Sequence, residues 1–592
     1  MLLDGSRDPD GRRGADTAGR LEAEHASVRF NDCLRERDAA AWALWFSRVR
    51  RMTEFRQTSL ALSAARVLHL PDYISFADVA HLGLPFSSYD GRNLCVGRGE
   101  HIGEGAVLTL RPLRRRGSFL PSSRIAMPGV RVQYGDVRSP FHVHLVAPSN
   151  EDSTYIKPLW AATLAAHTPD DVELTFRDDG LDPIDLAKES DAPDLVGISV
   201  NSKTAARAYA IADAYRARGS LVVLGGIHVT ALPDEAALHA HAVVKGEAEW
   251  IWQDVVRDAR AGKLGRTRNL LRRAIYEHDD YQPLVGLPQP RRDLIKSIRY
   301  VPFDVVQTTR GCPFPCEFCS VSTYNGTKFR FRPVAEVISE LETCGPRILF
   351  GDDNVMIHTK YSHELFEAMV PLGKHWVGQA SLAALHRVDN VAVMARSGCR
   401  ALLIGFESVT DDAVRGAGKK QNKPHKYGEV VRCLSDHGIG VWGSFIFGLD
   451  DDSPDSFQRT VDFCIEAKIT MAVFALLTPY PGTALYKRLK AEGRLTKDAW
   501  WLSSDHDTDS PFYRPATMSR EALRAGWVRA WQSMYSMSSI RKRYDFGLRH
   551  SWIQNVAYWP LNLLMHELAE KKIAGGDRAW RKHRALDIPL GL

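Results

Sequence analysis

Three cysteines carry the clearest chemistry in this chain. The run Thr308-Thr-Arg-Gly-Cys-Pro-Phe-Pro-Cys-Glu-Phe-Cys-Ser320 places Cys312, Cys316 and Cys319 at C-x3-C-x2-C spacing, and it holds three of the nine cysteines in 592 residues. A short β-like run, Asp304 to Gln307, precedes it, and Gly311, Pro313 and Pro315 enforce an irregular loop. A loop that wraps thiolates around one point suits a soft metal centre. A closed zinc site or an electron-transfer iron–sulfur cluster takes four cysteines as a rule. Three would leave one iron of a four-iron cluster open to a substrate. On spacing alone, a zinc knuckle with a distant fourth ligand stays open. Cys344, Cys399, Cys433 and Cys464 fall in or beside helical runs and read as packing.

Two further sets of polar residues stand at the ends of predicted strands. Asp352 and Asp353 follow the strand Arg347–Phe350. Gln379 closes Trp376–Ala380, Glu407 follows Ala401–Ile404, and Tyr480 follows Met471–Leu477. A carboxylate pairs with an ammonium group through charge-assisted hydrogen bonds, and it also accepts from two vicinal hydroxyls. The earlier set comprises Ser199, Ser202, Thr204, Gly225, Gly226, His228, Gly246 and Glu247. Glycines there let the backbone lie close to a ligand.

The elements that position these groups form two α/β blocks. In the first, strands Phe141–Val146, Val172–Phe176, Leu195–Val200, Leu221–Leu224 and one ending at Val244 alternate with helices Ile156–His167, Ala205–Arg218 and one near Asp234–His239. Short apolar strands alternating with helices predict a parallel sheet covered on both faces, with ligand outside the carboxyl ends of the strands. The second block, residues 300–488, has helices at Val334–Thr343, Tyr361–Met369, Asp389–Ser397, Tyr427–His437 and Asp455–Ala467. Six β/α units are fewer than the eight of a closed barrel.

The cysteine spacing, with an aromatic before the last cysteine, resembles the signature of the radical S-adenosylmethionine (SAM) enzymes. The resemblance implies an open (β/α)6 partial TIM barrel whose three cysteines hold a [4Fe–4S] cluster and whose open iron binds the amino and carboxyl groups of SAM. It further implies Phe318 near the adenine, Asp352 and Asp353 on the methionine ammonium, and Glu407 on the ribose. Gln379 is expected to face the cavity, and Tyr480 to reach the substrate or wedge its loop. The first block, through Gly225-Gly226-x-His228 and Lys245-Gly246-Glu247-x-Glu249, resembles the cobalamin-binding domain, a Rossmann-like (flavodoxin-like) fold, that precedes many radical SAM cores. Ser199, Ser202 and Thr204 are then candidates to hydrogen-bond the nucleotide tail. The loop Pro148–Thr154 lacks the Asp-x-His-x-x-Gly of many cobalamin proteins. The implied cobalt therefore has no histidine below it, and His228 contacts the tail or packs. Ser539-Ile-Arg-Lys-Arg543 resembles the C-terminal extension of some cobalamin-dependent members, including hopanoid methylases.

These resemblances imply a B12-dependent methyltransferase that adds a methyl group to an unactivated carbon through a 5′-deoxyadenosyl radical and methylcobalamin. A non-methylating cyclase or rearrangement enzyme, and an iron–sulfur or cobalamin sensor without turnover, stay open. The domain reading is an N-terminal extension over 1–126, disordered or a mis-called start; a cobalamin-binding domain over 127–260; a linker over 261–299; a radical SAM core over 300–488; and a helical extension over 489–592. Composition, 44% hydrophobic and 25% charged, is that of a globular protein. The net charge of +6 gives no argument for nucleic acid. An odd number of cysteines suits a reducing cytoplasm, and no apolar run reaches the roughly 18 residues of a membrane span. The expected partners are a small-molecule or lipid substrate and an electron donor such as a flavodoxin or ferredoxin. Trp552, Val556, Trp559 and Leu563 share one helical face, read as packing in preference to membrane-surface contact.

Overall fold

The computed structural model describes residues 140–149, 156–188, 192–264, 274–278, 280–419, 421–503, 510–544 and 552–574. The expectations for residues 1–126, for the helix Arg266–Arg273 and for most of the Pro148–Thr154 loop lie outside them.

The first sheet is built from β1 (Phe141–Ala147), β2 (Val172–Asp178), β3 (Leu195–Ser199), β4 (Leu221–Gly225), β5 (Ala242–Val244) and β6 (Ala274–Tyr276). All six strands are parallel, in the order β2-β1-β3-β4-β5-β6. Alternation sorts its apolar residues onto two faces. Val143, Leu145 and Val223 pack with Trp252 and Val255 on one side; Val146, Ile198 and Leu224 pack with Ala208, Tyr209 and Ala212 on the other. The order reverses between β1 and β3, which opens a crevice beyond their carboxyl ends, as in flavodoxin-like folds. Two features differ from the sequence reading. Ile227–Ala231 is a short helix that begins directly after Gly226, where a plain turn was expected. The stretch read as a linker supplies β6, which pairs with β5, so part of 261–299 belongs to this sheet. A three-residue edge strand is too short to show a period.

The second sheet begins with β7 (Asp304–Val306). A two-stranded antiparallel hairpin follows, β8 (Thr309–Arg310) with β9 (Arg330–Phe331), and the cysteine loop lies between its arms. Then come β10 (Arg347–Phe350), β11 (His375–Ala380), β12 (Cys399–Glu407), β13 (Gly440–Phe447) and β14 (Met471–Leu476). The order β14-β13-β12-β11-β10-β7 is wholly parallel and the two end strands do not pair, which is the open six-stranded barrel expected. Phe350, Trp376, Ile404, Phe445 and Phe474 face the outer helices and form the largest core. Cys344, Cys399 and Cys464 are buried in it, as expected of packing cysteines.

The C-terminal helices solve an edge problem. A terminal strand exposes unpaired backbone groups, and here side chains satisfy them. Trp527 and Trp531 donate their indole N–H to the Phe474 carbonyl at 2.7 and 3.2 Å, and Tyr535 donates to the Ala472 carbonyl at 2.6 Å. The fully buried Arg543 donates to the carbonyls of Ile469, Thr470 and Met534 and to Asn562. The C-terminal extension, expected to be helical, carries two successive helices, Arg520–Tyr535 and Met537–Arg543. They break at Ser536, whose hydroxyl caps the second by accepting from the Ser539 N–H at 3.2 Å. Among the described residues no helix is long and apolar enough to cross a membrane.

Candidate active site

Cys312, Cys316 and Cys319 sit half-buried on the loop between β8 and β9. Backbone bonds shape that loop: Cys312 N–H donates to the Gly326 carbonyl at 3.3 Å and Cys319 N–H to that of Cys316 at 3.1 Å. Burial pushes all three thiols up, Cys319 to about 11, with Cys316 and Cys312 adding to the effect on Cys319. The sulfurs therefore stand close enough to influence one another. Among the described residues no three His, Cys, Asp or Glu groups are gathered as one metal ion would need. Ligands that each take a different iron of a cluster need not meet at one point. Soft donors, three in number, in a partly closed loop fit a cluster with one open iron. Phe318 packs against the buried cluster that contains Leu477, Leu485, Leu489 and Tyr513.

The carboxylates at the barrel mouth divide by role. Asp352 is buried and accepts from Thr308 N–H at 3.1 Å, Thr308 Oγ1 at 2.7 Å and Thr309 Oγ1 at 2.5 Å. Burial holds its pKa up at about 6 against those bonds. It ties β10 to the start of the cysteine loop. Asp353 accepts from Asn325 Nδ2 at 3.0 Å and lies near enough to Cys312 and Cys319 to raise both thiols. Gln379 is exposed on β11, on the face opposite its buried neighbours Gly378 and Ala380.

Glu407 departs most from a regular strand. Its φ is +65°, and the β12–β13 register shifts at Gly405/Glu407. A non-glycine residue held there stores strain of about 1–3 kcal/mol, which marks functional sites. Lys419 overcomes it: its buried ammonium pairs with the Glu407 carboxylate and donates to the Gly405 carbonyl at 2.9 Å. Asn422 donates to the carbonyls of Gly405 and Phe406 at 2.9 and 3.0 Å. Gly418 approaches the Pro315 carbonyl so closely that an added Cβ would stand 3.3 Å from it. Gly418 and Lys419 thus stand beside the cysteine loop as a second wall. Sequence reasoning missed it. Its Gly-Lys-Lys-Gln-Asn composition reads as a turn, and no spacing rule links it to cysteines a hundred residues earlier.

In the first block, several candidates are spent on the protein itself. His228 is buried, with Ser202 Oγ at 3.0 Å from Nδ1 and Glu235 Oε1 at 3.1 Å from Nε2. Both ring nitrogens of His228 are thus engaged by protein groups. Glu235 also accepts from Tyr209 at 2.9 Å and from the Trp501 indole at 3.0 Å, which docks the C-terminal segment onto this block. Thr204 is buried in the turn before its helix, donating to the Asn201 carbonyl at 3.2 Å. Glu247 pairs with Arg330 at 2.5 Å, against the expectation of a cofactor contact. What remains at the carboxyl ends is Ser199, Gly225, Gly226 and Gly246. Gly226 has φ +99°, and a Cβ there would stand 2.8 Å from the Val200 carbonyl. Gly246 has φ +84° with nothing within 4 Å of such a Cβ. A backbone ledge with open space above it fits a flat, extended nucleotide tail.

The turn after β14 packs against both blocks. Gly482, after β14, lies where an added Cβ would be 2.9 Å from Thr323 of the cysteine loop's short helix (Val321–Tyr324) and 3.1 Å from Ala231 of the first block. Tyr480, on the same turn, packs against the first block's core and lies edge-on to Trp500 at 6.0 Å. That position fits a wedge, not a catalytic group.

Comparison with known proteins agrees with this geometry. The Radical SAM superfamily matches residues 306–464, the B12 binding domain residues 151–256, and a domain of unknown function (DUF4070) residues 483–558. The chain is 32% identical over 438 residues to the bacteriochlorophyllide d C-12(1)-methyltransferase of Chlorobaculum tepidum, covering 72% of this chain and 91% of that one. It is 26% identical to the hopanoid C-2 methylase of Rhodopseudomonas palustris, over 56% of this chain and 62% of the other. The structure of the methyltransferase TsrM from Kitasatospora setae, with cobalamin and a [4Fe–4S] cluster bound, superposes with a TM-score of 0.55 at 16% identity, over 73% of this chain and all of that one, and so shares the fold. With both cofactor modules in order, the C-terminal extension matched and a methyltransferase alike over nearly its whole length, the chain belongs to the cobalamin-dependent radical SAM enzymes and is one of their C-methyltransferases.

Proposed function

We propose that the chain methylates an unactivated carbon of a flat, largely apolar small molecule, held between the barrel mouth and the carboxyl ends of the first sheet. The observation that carries this reading is the Gly482–Thr323–Ala231 contact, which packs one turn against both the cysteine loop's short helix and the first block. Cys312, Cys316 and Cys319 are assigned to the cluster, Asp353 to the SAM ammonium, and Glu407, positioned by Lys419, to the ribose. Phe318 backs the loop from its apolar side. Ser199, Gly225, Gly226 and Gly246 are assigned to the cobalamin tail. Gln379 and Trp442 stand on the inner face of the barrel, Trp442 with 41% of its surface exposed, an apolar shelf for substrate. The cofactors, when bound, supply radical formation and methyl transfer. The protein's part is to hold them, orient the substrate and exclude water. The name of the Chlorobaculum tepidum relative makes a tetrapyrrole the first class to test. An external one-electron donor, such as a flavodoxin or ferredoxin, completes the system.

The test is anaerobic turnover of reconstituted protein with SAM, a reductant and a tetrapyrrole panel. Product heavier by one methylene, formed with both 5′-deoxyadenosine and S-adenosylhomocysteine, is the expected outcome. An oxidised or cyclised product without added methyl would refute methylation.

A further inference from the structure

The neck of the cysteine loop carries an unfavourable charge pair. β8 and β9 close the loop, and their register sets Arg310 directly opposite Arg330. Cross-strand partners stand about 5 Å apart, and like charges there repel. Both guanidinium groups are also withdrawn from water, with side-chain exposures of 11% and 7%. Locally, Arg310 Nε donates to Gln307 Oε1 at 2.9 Å and Arg330 Nη2 to the Asn325 carbonyl at 3.3 Å, and neither partner carries a charge.

The first block offsets it. After β5, Glu247 and Glu249 project onto the neck. Glu247 takes both Arg330 Nη atoms, Oε1 at 2.5 Å and Oε2 at 2.9 Å, and its Oε1 also lies 3.4 Å from Arg310. Glu249 takes Arg310 Nη2 at 2.5 Å. Burial would raise Glu249, yet Arg310 holds its carboxyl below the usual range. Two carboxylates from one block thus neutralise two cations of the other, and Glu247 stands between them. Tyr281 completes the enclosure, its ring centroid 4.9 Å from the Arg330 guanidinium.

We infer that Glu247 is a positioning residue of the cluster: by bridging Arg310 and Arg330 it holds the neck of the cysteine loop closed, so firm cluster retention depends on the docked cobalamin-binding block. This rests on the reading of Cys312, Cys316 and Cys319 as cluster ligands. Removing one partner of a buried pair leaves the opposite charge stranded, which is more costly than losing the pair. Glu247→Gln strands exactly that charge at the neck while keeping the side chain's shape.

The experiment uses the full chain, reconstituted anaerobically, and follows iron release to a ferrous chelator together with the electron paramagnetic resonance of the reduced cluster. Wild type should load four irons and release them slowly. Glu247→Gln should load the same iron, keep the wild-type far-ultraviolet circular dichroism, release iron about tenfold faster, and show a broadened cluster signal. Glu247→Gln combined with Arg330→Gln removes the stranded charge, and release should fall back toward wild type. Should Glu247→Gln fail to fold, Arg330→Lys replaces it: a single ammonium cannot bridge both carboxylate oxygens, and release should again quicken. Wild-type release kinetics in either folded single variant would overturn the inference, as would a double variant no slower than Glu247→Gln. A wild-type protein that never takes up four irons would overturn the cysteine reading and this inference together.

Discussion

Gly226 and Gly246 both have positive φ at the carboxyl end of the first sheet, yet alanine should harm them differently. At Gly226 (φ +99°, ψ −178°) a Cβ would stand 2.8 Å from the Val200 carbonyl, 2.9 Å from the Val200 nitrogen and 3.0 Å from Ser199 Oγ. Two of those are backbone atoms of the sheet's end and cannot swing aside. Conformational strain of about 1–3 kcal/mol adds to overpacking of a similar size, so Gly226→Ala should cost about 2–6 kcal/mol. For a block of this size that is a fall of roughly 5–15 °C in melting temperature. At Gly246 the added methyl meets open space, and only strain of about 1–2 kcal/mol applies. If the cobalamin tail crosses Gly246, the same methyl intrudes on the ligand, and affinity should fall about tenfold, worth about 1.4 kcal/mol. The assay pairs melting of cofactor-free protein with cobalamin titration followed by visible absorbance. The reasoning fails if Gly226→Ala melts with wild type, and the tail assignment fails if Gly246→Ala binds cobalamin as wild type does.

Alanine at Cys312, Cys316 or Cys319 should abolish the four-iron absorption, whereas Cys399→Ala and Cys433→Ala should keep it; iron analysis after anaerobic reconstitution decides. Asp452 gives a pH prediction. Burial raises its folded pKa from 3.8 to about 6, so the stability it allows is full below about pH 4 and is lost as pH rises through 6, about 3 kcal/mol for two units. Gly448 and Leu449 donate to a single carboxylate oxygen, at 2.7 and 3.0 Å, a role an amide carbonyl can fill. Asp452→Asn should therefore match wild type at pH 4 and be the more stable by about 1–3 kcal/mol at pH 8 by denaturant titration; equal stability at both pH values would contradict this. Tyr480→Phe should leave kcat within about twofold of wild type, since a proton-transfer role would cost at least about a hundredfold. His228→Ala should lower the melting temperature while the visible spectrum of bound cobalamin stays unchanged; a changed spectrum would show that histidine at the cobalt.

The amino-acid sequence by itself determined the two sheets, their parallel sense and the cysteine loop, because each rests on a local pattern: apolar runs of strand length, helical periods between them, and Gly and Pro fixed around three thiols. It also marked the strand ends where polar residues gather. What it could not assign was each polar group's partner. Asp352 and Asp353 are adjacent and alike in type, yet one is consumed by Thr308 and Thr309 and the other faces the cysteines. Glu247, read as a cofactor contact, is taken by Arg330, and His228, read as a tail contact or a packing group, by Ser202 with Glu235. Lys419, which holds Glu407 in its strained conformation, carries no pattern of its own. Hydrogen bonds and ion pairs join groups far apart in the chain, and only the tertiary structure decides whether a buried polar side chain meets a protein partner or is left to meet a ligand.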